Sequence, residues 1–210
     1  MRFYALTLVI TSLIFSGCES FVYLKDKGGA TGMAGGGKPV LFDDFEKGLG
    51  GTWQYGDTAN GGACNPSEAS SDAHGGSKAV KCEYKSGTGT WGCGYGWTSS
   101  YMPKEGYFNA TGTGGIEFWA KAPMGANFMF GVKEGSQGGG DSEVYNSAAV
   151  TGNGRWKKYY LKWDAFTRGI YSGNQSGDDT LNPGSMASID VQLVEKQGNG
   201  VLLIDDIWFK

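Results

Sequence analysis

The sequence predicts an all-β domain, a two-sheet β-sandwich of jelly-roll type, and three observations carry that prediction. The 210 residues include 38 glycines, seven tryptophans and eleven tyrosines, against only 19% charged residues, the mix of turn formers and half-buried aromatic strands. From residue 40 onward no long amphipathic period of 3.6 appears. Instead, roughly eight to ten short alternating or apolar runs are separated by turn signals, the spacing of a sandwich. The length suits one domain with a sizeable core. A net charge of −3 without a basic patch argues against a nucleic-acid partner.

The N-terminus reads as a leader. Arg2 supplies a positive start, Phe3 to Phe15 is apolar apart from hydroxyls, and Phe15-Ser-Gly-Cys18 places small residues before a cysteine. The run is short for a permanent membrane helix. It resembles a bacterial lipoprotein signal peptide, with Phe15 where leucine is usual. That resemblance implies removal of residues 1–17, acylation of Cys18, and, with Glu19 next, an outer-membrane destination if the cell has one; the other reading is an ordinary secretory signal, which leaves a secreted protein. Residues 18–39 form a tether: Gly28, Gly29, Gly32 and Gly35 to Gly37 with interspersed Lys and Asp bury too little to fold. Gly32 to Lys38 nearly spells a phosphate-binding loop, but Pro39 replaces the magnesium-binding hydroxyl and no strand precedes it.

The domain spans residues 40–210. Val40 to Phe45 is the first strand, Trp53 to Tyr55 follows a glycine turn, and Asp57 to Gly76 reads as a polar loop. Ser77 to Tyr84 alternates clearly, and Trp91 to Trp97 is the next strand, joined to it by a hairpin turn at Gly87 to Gly92. On that strand Trp91, Tyr95 and Trp97 share a core face. Gly92, Gly94 and Gly96 leave the other face bare, as though a ligand or another segment approached the backbone. Gly115 to Lys121, Asn127 to Lys133 and Trp156 to Trp163 are three more strands. Glu134 to Val150 and Ala165 to Thr180 read as long polar connections, the second preceded by a helical turn at Asp164-Ala-Phe166. Ser188 to Val194 and Val201 to Phe209 close the domain as a hairpin around Gly198-Asn-Gly200.

Exported proteins meet oxidising conditions, and Cys64, Cys82 and Cys93 allow at most one bridge among themselves. A Cys64–Cys93 disulfide is the first choice because it staples a glycine-rich loop to a strand. Cys82–Cys93 remains open. His74 is the only histidine and no Cys-x-x-Cys exists, so a transition-metal site is not indicated.

The last strand, Val201 to Phe209, reads as buried on both faces yet holds Asp205 and Asp206. A carboxylate there is costly to desolvate without a partner. Phe42-Asp-Asp-Phe-Glu46 is the comparable acidic strand at the domain's start. Together they suggest termini meeting around a cation, with Asp206 turned inward and Asp205 outward.

Phe42-Asp-Asp-Phe-Glu46, Gly76-Ser-Lys-Ala-Val80, Gly115-Ile-Glu-Phe-Trp119, Gly154 to Leu161 with Phe166, and Ile204-Asp-Asp-Ile207 occur in the order expected of a galactose-binding-like jelly roll. Over residues 40–210 the chain resembles carbohydrate-binding modules of that fold, chiefly family 11, the cellulose and β-glucan binders, and also the complex I intermediate-associated domain. The resemblance implies a structural calcium on Glu46 and Asp206, with Asp44 and the carbonyl near Lys78 assisting, which suits a hard cation's preference for oxygen ligands. It also implies a groove of tyrosines, aspartates and an arginine, for which Tyr55, Asp190 and Arg168 are the nearest matches by order.

A polysaccharide groove needs flat aromatics and hydrogen-bonding groups on a rigid sheet. Strand alternation places Glu117 and Trp119 opposite Ile116 and Phe118, sets Met129 and Lys133 on an outer face, and exposes Asp190 and Gln192. Trp53, Tyr55, Tyr101, Tyr145, Tyr171 and Trp97, the last also a core candidate, lie in or beside loops as candidate rim aromatics. The predicted function is non-catalytic binding of a β-glucan or cellulose-class polysaccharide by a monomer anchored in the cell envelope through lipid alone. Two other readings are a weak glycosidase built on Glu117 and Asp190, and an assembly factor contacting protein.

Overall fold

The computed structural model describes residues 36–86, 92–135, 142–173, 177–194 and 198–210, without the side chains of 170–173. The expected leader, the acylated Cys18, most of the tether and the turn at 87–91 lie outside the described residues. Among those described, the strands are β1 Val40–Asp43, β2 Thr52–Gly56, β3 Ala63–Ala69, β4 Ala79–Ser86, β5 Cys93–Trp97, β6 Gly115–Lys121 and β7 Asn127–Glu134. They continue with β8 Glu143–Ser147, β9 Val150–Thr151, β10 Lys157–Lys162, β11 Phe166–Gly173, β12 Met186–Leu193 and β13 Gly198–Phe209.

These strands form two antiparallel sheets. Sheet I runs β10-β6-β13-β4-β3, with β1 also on β13; sheet II runs β11-β8-β7-β12-β5-β2, with β9 on β7. The alternating apolar residues of both sheets face inward. Phe118 of β6 stacks on Phe130 of β7 with centroids 4.1 Å apart, and Tyr95 and Trp97 of β5 are fully buried beside Phe45. Burying such side chains stabilises by about 1.5–3 kcal/mol each.

Two expected hairpins are instead crossings between sheets. The β4–β5 and β12–β13 connections each leave one sheet and enter the other. The reason is central placement: Leu202 to Asp205 are all buried, so β13 needs neighbours and cover on both faces, which β4, β6 and the layer above supply. Three expected polar connections also contain strands. β3 carries Pro66 at the sheet's edge, and β8 and β11 pair with each other at the edge of sheet II. The helical turn occurs at Trp163–Ala165.

Cys64 therefore sits in β3 rather than in a loop. Cys64, Cys82 and Cys93 are all buried, and the free thiols of Cys64 and Cys93 lie 2.7 Å apart, reaching from sheet I to sheet II. Hydrogen bonding among the neighbouring thiols, with burial adding to it, pushes both of their pKa values up.

The paired aspartates of β13 reverse the expected roles. A bulge opposite β6, with Asp206 at φ 49°, interrupts the alternation, so Asp205 is fully buried and Asp206 is half-exposed. Asp205 accepts from the backbone N–H groups of His74 (2.8 Å), Gly75 (3.0 Å) and Asp206 (2.8 Å). Burial nonetheless pushes its carboxyl up to about 6. The 70–78 segment thus lies across the outer face of sheet I, with His74 stacked 3.7 Å from Trp119 and its Nδ1 2.7 Å from Asp206 Oδ2.

Candidate functional site: the outer face of sheet II

Sheet register assembles a polar and aromatic surface on the outer face of sheet II. One row crosses the sheet through Thr167, Asn146, Gly131, Asp190, Gly96 and Trp53; the next runs Met129, Gln192, Gly94 and Tyr55. A third places Val144, Lys133 and Ser188 side by side. Inward neighbours such as Phe130, Val132, Tyr95, Trp97, Ile189 and Val191 are core residues, which fixes these positions outward.

Glycine makes this surface a floor. A methyl group at Gly96 would fall 2.2 Å from Trp53 Cζ2, and one at Gly94 would fall 2.3 Å from Tyr55 Cζ. The two rings of edge strand β2 therefore lie flat over bare backbone, the close approach that the alternating glycines anticipated. Trp53 keeps 38% of its surface open. Asp190 lies low over Gly131 in the same way, with Asn146 Oδ1 converging on that glycine.

Asp190 is the electrostatic centre of the face. Its Oδ2 accepts from the Tyr55 hydroxyl at 3.3 Å, while Oδ1 is buried and has no hydrogen-bond partner among the described residues. Desolvation pushes its pKa up to about 6, only partly offset by the Tyr55 bond. Burial and the nearby carboxylate raise the Tyr55 phenol in turn. A half-buried carboxylate beside an exposed indole suits a ligand bearing hydroxyl donors on its rim and an apolar face.

Of the residues expected in the groove, Trp53, Tyr55, Asp190 and Gln192 share this face. Glu117 and Trp119 do not: β6 belongs to sheet I, so they lie on the opposite side of the sandwich. Glu117 there meets Lys158 at 3.3 Å and Lys210, and Trp119 is capped by His74. Alternation showed that they face outward but not from which sheet. Arg168 also lies elsewhere. It pairs with the core-facing Tyr145 position, sets Nε 2.8 Å from Glu143 Oε1, and contacts Asp179 beside an edge cavity of about 590 Å³ walled by Trp163, Phe166 and Leu181. Asn146 and Thr167 escaped the sequence reading because β8 and β11 looked like loops, and only their partnership with β7 reveals the parity.

The three carboxylates expected to hold calcium do not form one cluster. Glu46 and Asp206 both approach the Gly75–Lys78 segment, but Glu46 accepts from Ser77 N (2.7 Å), Ser77 Oγ (2.8 Å) and Lys78 N (2.8 Å). These bonds hold its pKa low. Asp44 turns to the Tyr101 hydroxyl at 2.7 Å, and Asp206 to His74. Each of the three carboxylates turns to a different protein donor, and among the described residues they are not gathered around one point; these hydrogen bonds tie both ends of the domain to neighbouring segments. The one group of carboxylates close enough for an ion among the described residues is Glu134, Glu143 and Asp178 at the far edge of sheet II, where burial and the neighbouring acids push Glu134 up to about 7.

The model for the carbohydrate binding domain of family 11 matches residues 30–208. The chain belongs to that family. Its members are non-catalytic, and the glycosidase reading fails on geometry as well, since Glu117 and Asp190 lie on different sheets. Solved structures agree in fold. The chain covers 94% of the family 11 module of the cellulosomal cellulase Lic26A-Cel5E of Clostridium thermocellum, over 82% of its own length, at 18% identity and TM-score 0.60. Against a family 11 module from Clostridium thermocellum in complex with a β-1,3-1,4-mixed-linked tetrasaccharide, the corresponding values are 94%, 81%, 19% and 0.61. A family 30 module of the cellulosomal cellulase Cel9D-Cel44B of Clostridium thermocellum matches at 10% identity and TM-score 0.58, covering 82% of this chain and 97% of that one. No curated protein sequence matches this family 11 chain.

Proposed function

We propose that this carbohydrate binding domain holds a β-linked glucan, of the mixed-linked or cellulose class, across the outer face of sheet II. The carrying observation is the glycine-floored face on which Trp53 lies open beside the half-buried Asp190 and Gln192. The indole stacks on the apolar face of a pyranose, Asp190 and Gln192 take its hydroxyls, and Tyr55 orients Asp190. The family 11 structure holding a mixed-linked tetrasaccharide supports the ligand class. A lipid on Cys18 and the glycine-rich tether would present a monomeric domain at the cell envelope, where it captures polysaccharide for breakdown by other proteins.

Affinity electrophoresis in gels containing barley β-glucan tests this, alongside pull-down on insoluble cellulose. Retardation by soluble glucan that is lost in Trp53→Ala supports the reading. Unretarded migration in both matrices overturns it and favours a protein-contacting role.

A further inference from the structure

Lys133 is the groove residue that a neutral glucan does not explain. It projects from β7 on the outer face of sheet II, in register with Ser188 on one side and Val144 on the other. With Trp53, Thr98, Ala187 and Ser188 it lines a cavity of about 200 Å³, the size of a single sugar ring. Lysines 78, 81, 121, 158 and 210 each meet a carboxylate. Lys133, half-buried, has no ion-pair or hydrogen-bond partner among the described residues. The carboxylate of the adjoining row, Asp190, holds the Tyr55 hydroxyl through Oδ2 and makes no ion pair with Lys133. A partly desolvated ammonium at the end of a ligand groove calls for an anion from the ligand itself.

We propose that the Lys133 end of the groove is a subsite for a uronic acid unit, so that the domain takes carboxylated β-glycans in preference to neutral ones. This rests on the groove reading above. Trp53 and Lys133 line one cavity and read different parts of one ring: the indole takes the pyranose face, and the ammonium takes the carboxylate at C6 on the ring's edge. In a β-1,4-linked chain successive rings are flipped, so every second unit turns C6 toward the lysine. The chain's net charge of −3 disfavours anionic polymers in general, which makes any preference for one a local effect.

The test compares barley β-glucan with the same polymer after partial oxidation of its C6 hydroxymethyl groups to carboxylates, by calorimetric titration of the full chain. The expected result is binding of the oxidised polymer about 3–10 times tighter at low salt, a ratio that collapses near 0.5 M NaCl. Lys133→Gln brings the ratio to one or below, whereas Lys157→Gln, on sheet I, keeps it. A wild-type ratio of one or less overturns the proposal, as does a ratio retained by Lys133→Gln or lost equally in Lys157→Gln. Tighter binding of a C6-sulfated glucan than of the oxidised one refutes the uronate assignment. Binding of none of these polymers overturns the groove reading itself, a result distinct from loss of the ratio alone.

Discussion

Replacing Asp190 by asparagine is expected to make the domain more stable and less able to bind. The carboxyl's pKa is raised from 3.8 to about 6 by desolvation. At about 1.36 kcal/mol per unit, the ionised form costs the fold roughly 3 kcal/mol at neutral pH, and solvent at the groove mouth trims this to about 1–3 kcal/mol. The sign follows from linkage. A carboxyl whose folded pKa lies above its unfolded value costs nothing below about pH 4, and the penalty grows until pH passes about 6. Asparagine does not ionise, keeps an acceptor for the Tyr55 hydroxyl, and fits over Gly131. Scanning calorimetry should therefore show Asp190→Asn melting about 3–10 °C above wild type at pH 7.5, with no advantage at pH 4. The raised pKa of Asp205 is common to both proteins and cancels. In affinity electrophoresis the variant should bind glucan at least about tenfold more weakly, having exchanged a charged acceptor for a neutral one. A variant that melts no higher at pH 7.5 than wild type, or binds as well, would refute the reasoning.

Trp53→Ala removes an indole of which 38% is open; at about 25 cal/mol per Å² for the ring and the sugar face covering it, the loss is about 1–2.5 kcal/mol, or roughly 5–60-fold in affinity. An affinity within twofold of wild type would contradict stacking there, and the melting temperature should barely move because β2 is an edge strand. Oxidation is expected to join Cys64 to Cys93, closing a loop worth about 3–4 kcal/mol; peptide mapping should find that bridge, and a Cys82 pairing would disprove it. Asp205→Ala strands three backbone N–H groups and should cost about 2–4 kcal/mol, read as a lower urea midpoint. Adding calcium to chelator-stripped protein should shift the melting temperature by no more than about a degree, because Glu46, Asp44 and Asp206 turn to separate donors; a rise of several degrees that Glu46→Gln abolishes would show that a cation gathers them, whereas one that Glu46→Gln keeps would point to Glu134, Glu143 and Asp178.

Much of the sandwich was legible because its central strands alternate cleanly. β4, β6, β7 and β12 each place large apolar residues at every second position, which is a direct trace of one buried face. The same alternation found Asp190 and Gln192, whereas Trp53 and Tyr55 stood out only as aromatics beside the groove. It failed where parity carries no address: Glu117 and Asp190 both read as outward, and only pairing assigns them to different sheets. It failed again at Asp205, because a bulge shifts parity by one without leaving a mark in composition. β8 and β11 were hidden by buried polar residues, since Glu143 faces inward to meet Arg168, opposite to what a core position suggests.

The two aromatic rings of the groove come from a strand hydrogen-bonded on one side only, β2 against β5. Their side chains rest on glycine backbone and touch little of the interior. Such a platform can be exchanged over evolutionary time, or by an engineer, almost as a detachable part: new side chains on β2 alter what the sheet grips while the packing between the sheets is left as it was. The glycines beneath set the terms of that freedom. A bulkier residue at position 94 or 96 would lift the rings and make the floor shallower, so the ligand range of this fold can drift along one edge strand only while the neighbouring strand stays bare.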